Sequence, residues 1–255
     1  MNDLDIYVAT HKKVENCINL DGCYKYLFVG ANNHTDTYGY ICDNDGSDSI
    51  SEKNSTYCEL TGLYWMWKNA PKQKYIGLCH YRRFPSKHRF SINLNKDVLS
   101  EKEILNALKD VDVLLPIKGK KTSMNSLCKG EDDLNKCREY KYILGAIEKK
   151  CPEYIPELKK VFLDSEMCFG NIFVLTRENF DLYCAWLFDL LFDIEGTIKA
   201  QNDEIPREYG YLSEWMLNVW IEKNKLKVKY IPTVFTEEQH DWKFYIKMLK
   251  ERLKI

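Results

Sequence analysis

Apolar tracts and polar connectors alternate along the chain in a way that predicts strands and helices in turn. Leu4 to Ala9 is a short apolar run that predicts a first strand, ending at Thr10-His11-Lys12. Tyr24 to Gly30 predicts a second. Residues 31 to 56 are rich in Asn, Asp, Ser and Gly, with Asp43-Asn44-Asp45-Gly46 as a turn signal. A loop this long inside a compact domain is more often functional than idle. A helix is predicted from Tyr57 to Asn69, with Ser55 or Thr56 as its cap, Glu59 in its first turn and Pro71 as its stop. Lys74 to Cys79 predicts a short buried strand with His80-Tyr81-Arg82-Arg83 at its carboxyl end.

The second half continues the alternation. Ser100 to Leu108 predicts a helix opened by a capping box of Ser100 and Glu103. Val111 to Leu115 is a strand closed by Pro116, and residues 117 to 133 are a Lys-rich loop. Leu134 to Lys150 is helical, Cys168 to Leu175 is a strand beginning at Gly170-Asn171, and Glu178 to Glu195 is an aromatic-rich helix. Residues 196 to 210 form a polar loop before a helix from Ser213 to Lys223, N-capped by Ser213, and a last strand spans Val228 to Ile231. Strands alternating with helices predict an α/β fold with a mainly parallel central sheet flanked by helices. Ligands of such sheets bind beyond the carboxyl ends of strands, where Thr10-His11, His80 to Arg83 and Gly170-Asn171 are expected.

Composition narrows the classes. The chain has 255 residues, enough for one domain, and its 45% hydrophobic and 13% aromatic content excludes a disordered chain. A net charge of -1 offers no basic surplus, so no nucleic-acid partner is expected. The 10 cysteines contain no C-x-x-C pair, and no secretory signal opens the chain, so they are expected to be reduced and mostly in the core. The expected location is cytoplasmic, with contact at the inner face of the plasma membrane as a variant of it. That variant comes from residues 236–255, expected to form a basic amphipathic C-terminal helix: Phe244, Ile246, Met248, Leu249 and Leu253 interleave with five basic residues. A packed helix with a solvated basic face explains the same pattern.

Several clusters carry chemistry. Gly77 to Arg83 runs from an apolar strand into a histidine and two arginines, whose planar forks suit diphosphate oxygens; surface ion pairs would use the same residues. Glu59 sits in an otherwise apolar helix and needs a basic partner or a ligand hydroxyl. Gly62 in that helix permits close approach of a neighbouring strand or ligand. In Arg207 to Glu214, Glu214 is expected at the first position of a helix, held ionised by the dipole and suited to act as a general base; a plain first-turn carboxylate reads the same way. Asp43, Asp45 and Asp48 are weak candidates for a divalent cation, and Asp110-Val111-Asp112 reads as a helix end and a strand start.

Taken together these segments resemble a bacterial capsular polysaccharide synthesis family of GT-A-like glycosyltransferases, long catalogued as a domain of unknown function. The resemblance rests on Ile6 to Lys13, the loop from Asp45 to Asn54, Tyr57 to Trp65, Trp67 to Asn69 and Tyr75 to Phe84. It continues through Gly170 to Phe173, Tyr183 to Phe188 and Arg207 to Glu214, over nearly the whole chain. It implies a transferase that moves a sugar, galactopyranose or galactofuranose among the plausible ones, from a nucleotide-diphosphate donor. A UDP-sugar is the first choice, and the acceptor is an oligosaccharide or lipid-linked glycan. Thr10, His11, Asp43, Asp45, Glu59, His80, Asn171 and Arg207 are then expected around the donor. Glu214 would take the acceptor proton, and Arg82 and Arg83 would meet the departing diphosphate. Where such folds usually carry a D-x-D, this chain has Arg82 and Arg83, which leaves a requirement for Mn or Mg open. Ile172 and Trp215 stand where Met and Arg are commoner in the family. The alternatives are a non-catalytic nucleotide-sugar or carbohydrate-binding module and a nucleotidyltransferase. The absence of a Gly-rich phosphate loop near the first strand speaks against the second.

Overall fold

The computed structural model describes residues 3–15, 18–89, 91, 93–121, 128 and 130–236. The first half contains strands β1 (Leu4–Thr10), β2 (Tyr24–Phe28) and β3 (Ile41–Cys42), then helices α1 (Asn54–Tyr57) and α2 (Leu60–Asn69). Strands β4 (Tyr75–His80) and β5 (Arg83–Pro85), helices α3 (Leu94–Asp97) and α4 (Glu101–Ala107), and strands β6 (Val113–Pro116) and β7 (Gly119–Lys120) follow. The second half holds α5 (Glu131–Leu134), α6 (Arg138–Lys150), α7 (Ile155–Leu163), β8 (Glu166–Met167) and β9 (Phe173–Thr176). It ends with α8 (Arg177–Ala200), α9 (Glu208–Lys223), β10 (Val228–Ile231) and β11 (Thr233–Phe235).

A nine-stranded sheet organises these elements in the order β10-β6-β9-β4-β1-β2-β3, with β5 and β11 paired off its middle. All seven residues of β1 are buried, which suits a strand flanked by parallel neighbours on both sides and covered on both faces. Its alternation sorts the core. Tyr7 and Ala9 join one apolar layer with Leu27, Ile76, Leu78 and residues of α2, α6, α7, α8 and α9. Leu4, Ile6 and Val8 face the opposite layer with Cys79, Val174 and Ile104 of α4. The sheet is mostly parallel, as predicted. The exceptions are β9, which runs antiparallel between β4 and β6, and β5, which is antiparallel to both β4 and β11.

The differences from the sequence reading are local. The helix predicted from Tyr57 to Asn69 is two helices, because Cys58 takes a positive φ of 51° and turns the chain between them. Neither Ser55 nor Thr56 caps it; both lie inside α1. The helix predicted to start at Ser213 starts at Glu208, so Ser213 is a buried mid-helix residue and not a cap. The helix over Leu134 to Lys150 is split into α5 and α6, α8 runs on to Ala200, and the strand at Cys168 begins at Phe173. Helix α7 and the helical turn before it are additions to the sequence reading, and they carry Pro152 and Pro156. Both lie at the first positions of helical turns, where a missing N–H costs nothing. The capping box at Ser100 and Glu103 is present as expected. The predicted helix over 236–255 lies, apart from Thr236, outside the described residues. No helix among the described residues is long and apolar enough to cross a membrane.

Candidate active site

The parallel strands β1, β2 and β4 end on one edge of the sheet. Thr10 and His11 lie at the end of β1, and His80 to Arg83 carry β4 into β5. Strand order reverses between β1 and β4, so this edge is a topological switch point. Gly170 and Asn171 reach the same edge for a reason the sequence did not reveal: β9 is antiparallel, so its start lies beside the end of β4.

A cleft of about 320 Å³ opens there. Thr10, His11, His80, Arg82 and Arg83 line its sheet side, and Glu59, Arg207 and Glu214 line its helical side. Eight of the predicted site residues thus converge from five separate stretches of chain. Tyr81, Asn54 and Cys58 also face the cleft and had been given no role. Tyr81 carries the Arg82 guanidinium at 5.2 Å and the Lys12 ammonium at 5.1 Å from its ring centre. The Cys58 thiol is pushed up to about 11 by burial, so it stays protonated at neutral pH and is a poor nucleophile.

Packing fixes Glu59. It stands at the N-cap position of α2, directly after the turn at Cys58. That turn is held by Asn54, whose Nδ2 donates to the Cys58 carbonyl at 2.7 Å. Gly62 brings α2 against β2: a Cβ there would lie 2.7 Å from Val29 and 2.9 Å from Leu27. The strand approach predicted for Gly62 is therefore its role. Asn171 does not line the cleft but lies buried beneath it. Its Nδ2 donates to Glu59 Oε1 and to Ser213 Oγ, each at 2.8 Å.

Glu214 sits nearly two turns inside α9 and not at its first position. The helix start is set elsewhere: Arg207 adopts a left-handed conformation with φ 63°, and the buried Glu208 accepts a hydrogen bond from Arg138 at 2.7 Å. The expectation that a helix dipole holds Glu214 ionised is therefore corrected. Burial, reinforced by the nearby Glu59 carboxylate, raises its carboxyl to about 7, against the opposing pull of the Gly170 backbone, Arg83 and Arg207. His80 is pushed down by burial. Its Nε2 lies 2.5 Å from the Gly170 carbonyl, which can only accept, so Nε2 carries the proton. Trp215, the residue after Glu214, stacks on Phe162 with centroids 3.9 Å apart, away from the cleft.

Asp43 and Asp45 are not brought into the cleft. Asp43 is fully buried, and its carboxylate accepts from Gly30 N, Ala31 N and Ser51 Oγ. Asp45 accepts from Cys42 N, and Asp48 from the Tyr64 hydroxyl. These contacts build the loop, and the buried Asp43 carboxylate, with three donors on it, is closed to a metal. No group of three His, Cys, Asp or Glu among the described residues is arranged to hold one.

A family described as Domain of unknown function (DUF4422) matches residues 5–225. The comparison with curated proteins gives no match. Among solved structures, the chain is similar to the apo structure of the bifunctional glycosyltransferase WbbM, with 30% sequence identity and a TM-score of 0.78. The match covers 93% of this chain and 46% of WbbM, so the chain spans about half the length of that protein.

Proposed function

From the premise that the chain belongs to the DUF4422 family, we propose that it is a glycosyltransferase acting on a nucleotide-diphosphate sugar. The observation that carries this reading is one cleft in which three arginines face a carboxyl group raised to about 7. The likeness to WbbM supports glycosyl transfer as the chemistry.

The reaction is an in-line displacement at the anomeric carbon. An acceptor oxygen forms a bond to that carbon as the bond to the diphosphate oxygen breaks. Glu214 takes the proton from the acceptor hydroxyl; a carboxyl near 7 is well matched to accept it at neutral pH. Arg82 and Arg83, with Arg207 opposite, meet the charge that builds on the departing diphosphate. Glu59, held by Asn171, orients sugar hydroxyls. Thr10 and His11, at the end of β1, lie where the nucleoside end of the donor fits. The donor we favour is a UDP-sugar, with galactose in either ring form, and the acceptor a glycan of a bacterial surface polysaccharide.

Product analysis with a panel of nucleotide sugars, with and without manganese, tests this. A transferase releases nucleoside diphosphate together with a glycosylated acceptor. Pyrophosphate as the product would make the chain a nucleotidyltransferase. A thermal shift with a nucleotide sugar but no turnover with any acceptor would make it a binding module.

A further inference from the structure

A second cleft, of about 210 Å³, opens on the same edge of the sheet on the far side of Arg83. The first cleft lies over the ends of β1 and β4. This one lies over the ends of β6 and β10 and the start of β9. Ile117 follows β6, Pro232 follows β10, and Phe169 and Ile172 precede β9. The β5–β11 pair closes it through Phe235.

The wall between the clefts is thin and chemically active. Arg83 lines both. Its Nη1 lies 2.8 Å from where a Cβ on Gly170 would be, so the guanidinium rests directly on that glycine. Both Arg83 and the Gly170 backbone lower the Glu214 carboxyl against the effect of burial, so the wall is electrostatically linked to Glu214. Arg83 is the residue common to the two linings, and Glu214 lies in the first cleft beside it.

The lining differs from that of the first cleft. Ile117 is 47% exposed and Phe235 40% exposed, large apolar surfaces left open to solvent. The Phe169 ring packs on Gly119, 3.2 Å from where a Cβ would sit. Arg89 completes the lining, and Arg83 lies 5.3 Å from the Phe235 ring centre. A pyranose or furanose ring has an apolar C–H face and a rim of hydroxyls. Aromatic and aliphatic surfaces beside guanidinium donors suit that pair of properties.

We propose that this second cleft, joined to the first through Arg83, is the acceptor subsite and holds the terminal sugar of the glycan to be extended. The proposal rests on the transferase reading above. It assigns the acceptor to Ile117, Phe169, Phe235 and Arg89, none of which serves the donor cleft.

The test uses the full chain and two variants. Ile117→Trp fills the cleft from an exposed position without touching Arg83, and Phe235→Ala removes one apolar wall. Three quantities are measured: the thermal shift with the nucleotide-sugar panel, saturation-transfer NMR with a panel of methyl hexosides and disaccharides, and acceptor KM. Ile117→Trp should abolish the glycan NMR signal and raise acceptor KM about tenfold or more. It should leave the donor-induced thermal shift unchanged. Phe235→Ala should weaken glycan binding in the same direction. Glycan binding and acceptor KM unaltered in both variants, or no glycan signal with the unmodified protein, would overturn the proposal. If instead no nucleotide sugar binds while the glycan signal persists and is lost in Ile117→Trp, the transferase reading falls and the cleft stands as a carbohydrate site.

Discussion

Asn171 Nδ2 donates to Glu59 Oε1 at 2.8 Å, a contact between residues 112 positions apart. The same amide donates to Ser213, so one buried side chain ties α2 to α9 beneath the cleft floor. Replacing Asn171 by Ala should free Glu59 and leave buried acceptors unpaired. That cost is about 1–3 kcal/mol, enough to lower both thermal stability and turnover. Asn171→Asp is the sharper test, because it sets a carboxylate against Glu59 and adds negative charge near Glu214. Its pH–rate profile should move upward relative to the parent. A profile that stays in place would show that Asn171 does nothing to the charge balance of the site.

The pH dependence follows from Glu214. A general base works when deprotonated, so kcat/KM should fall as pH drops through about 7 and level off above it. Since the Glu59 carboxylate helps raise Glu214, Glu59→Gln should shift that limb to lower pH. Glu214→Gln should remove the limb and reduce turnover by roughly 10²–10⁴ while the donor-induced thermal shift persists. Turnover within a few-fold of the parent in Glu214→Gln would take the proton-transfer role away from this residue.

The sheet and its carboxyl edge were readable because strand ends are marked locally. The apolar tract of β1 stops at Thr10-His11 and that of β4 at His80 to Arg83, so these residues fell into place. The surroundings of Glu214 were not readable. Ser213-Glu214 before an apolar run mimics a helix start, whereas α9 really begins where Arg138 pairs with Glu208, 70 positions away. The same blindness affected Asp43: a D-N-D-G run looks like a cation loop. Only the fold shows its carboxylate turned inward to the amides of Gly30 and Ala31. The Cys58 turn escaped too, since nothing in a cysteine announces a positive φ.

Gly170 has two reasons to be glycine. Its φ is 86°, and an added Cβ would lie 2.8 Å from Arg83 Nη1. Gly170→Ala should cost about 1 kcal/mol or more from backbone strain alone. Arg83 is the far end of a flexible side chain and would move aside. Donor affinity and turnover should therefore fall more than stability does. Isothermal titration with the donor and a melting curve on the same preparation separate the two effects. A drop in melting temperature with unchanged donor affinity would place Arg83 outside the donor site.

The turn that carries Glu59 depends on a buried ion network one helix away. Glu195 of α8, 7% exposed, accepts from Tyr57 at 2.9 Å, Lys53 at 2.8 Å and Lys199 at 2.6 Å. Burial alone would raise its carboxyl, but the hydrogen bonds from Lys199, Lys53 and Tyr57 outweigh burial and hold it below the usual range. A carboxyl lowered on folding adds stability above its unfolded value and loses it as pH falls through its folded value. Part of the acid destabilisation of this protein should therefore come from Glu195, and Glu195→Gln should flatten the loss below the ordinary carboxylate value of 4.5. At neutral pH the same change should cost about 2 kcal/mol, below the roughly 3–5 kcal/mol for breaking a buried pair. The cost is low because Lys53 and Lys199, 30% and 56% exposed, can turn to water. Urea unfolding of parent and variant at neutral pH and again at about pH 3.5 measures both quantities. The gap between them should narrow in acid; a gap that widens would mean that Glu195 is protonated in the folded protein and that Tyr57 is held by packing alone.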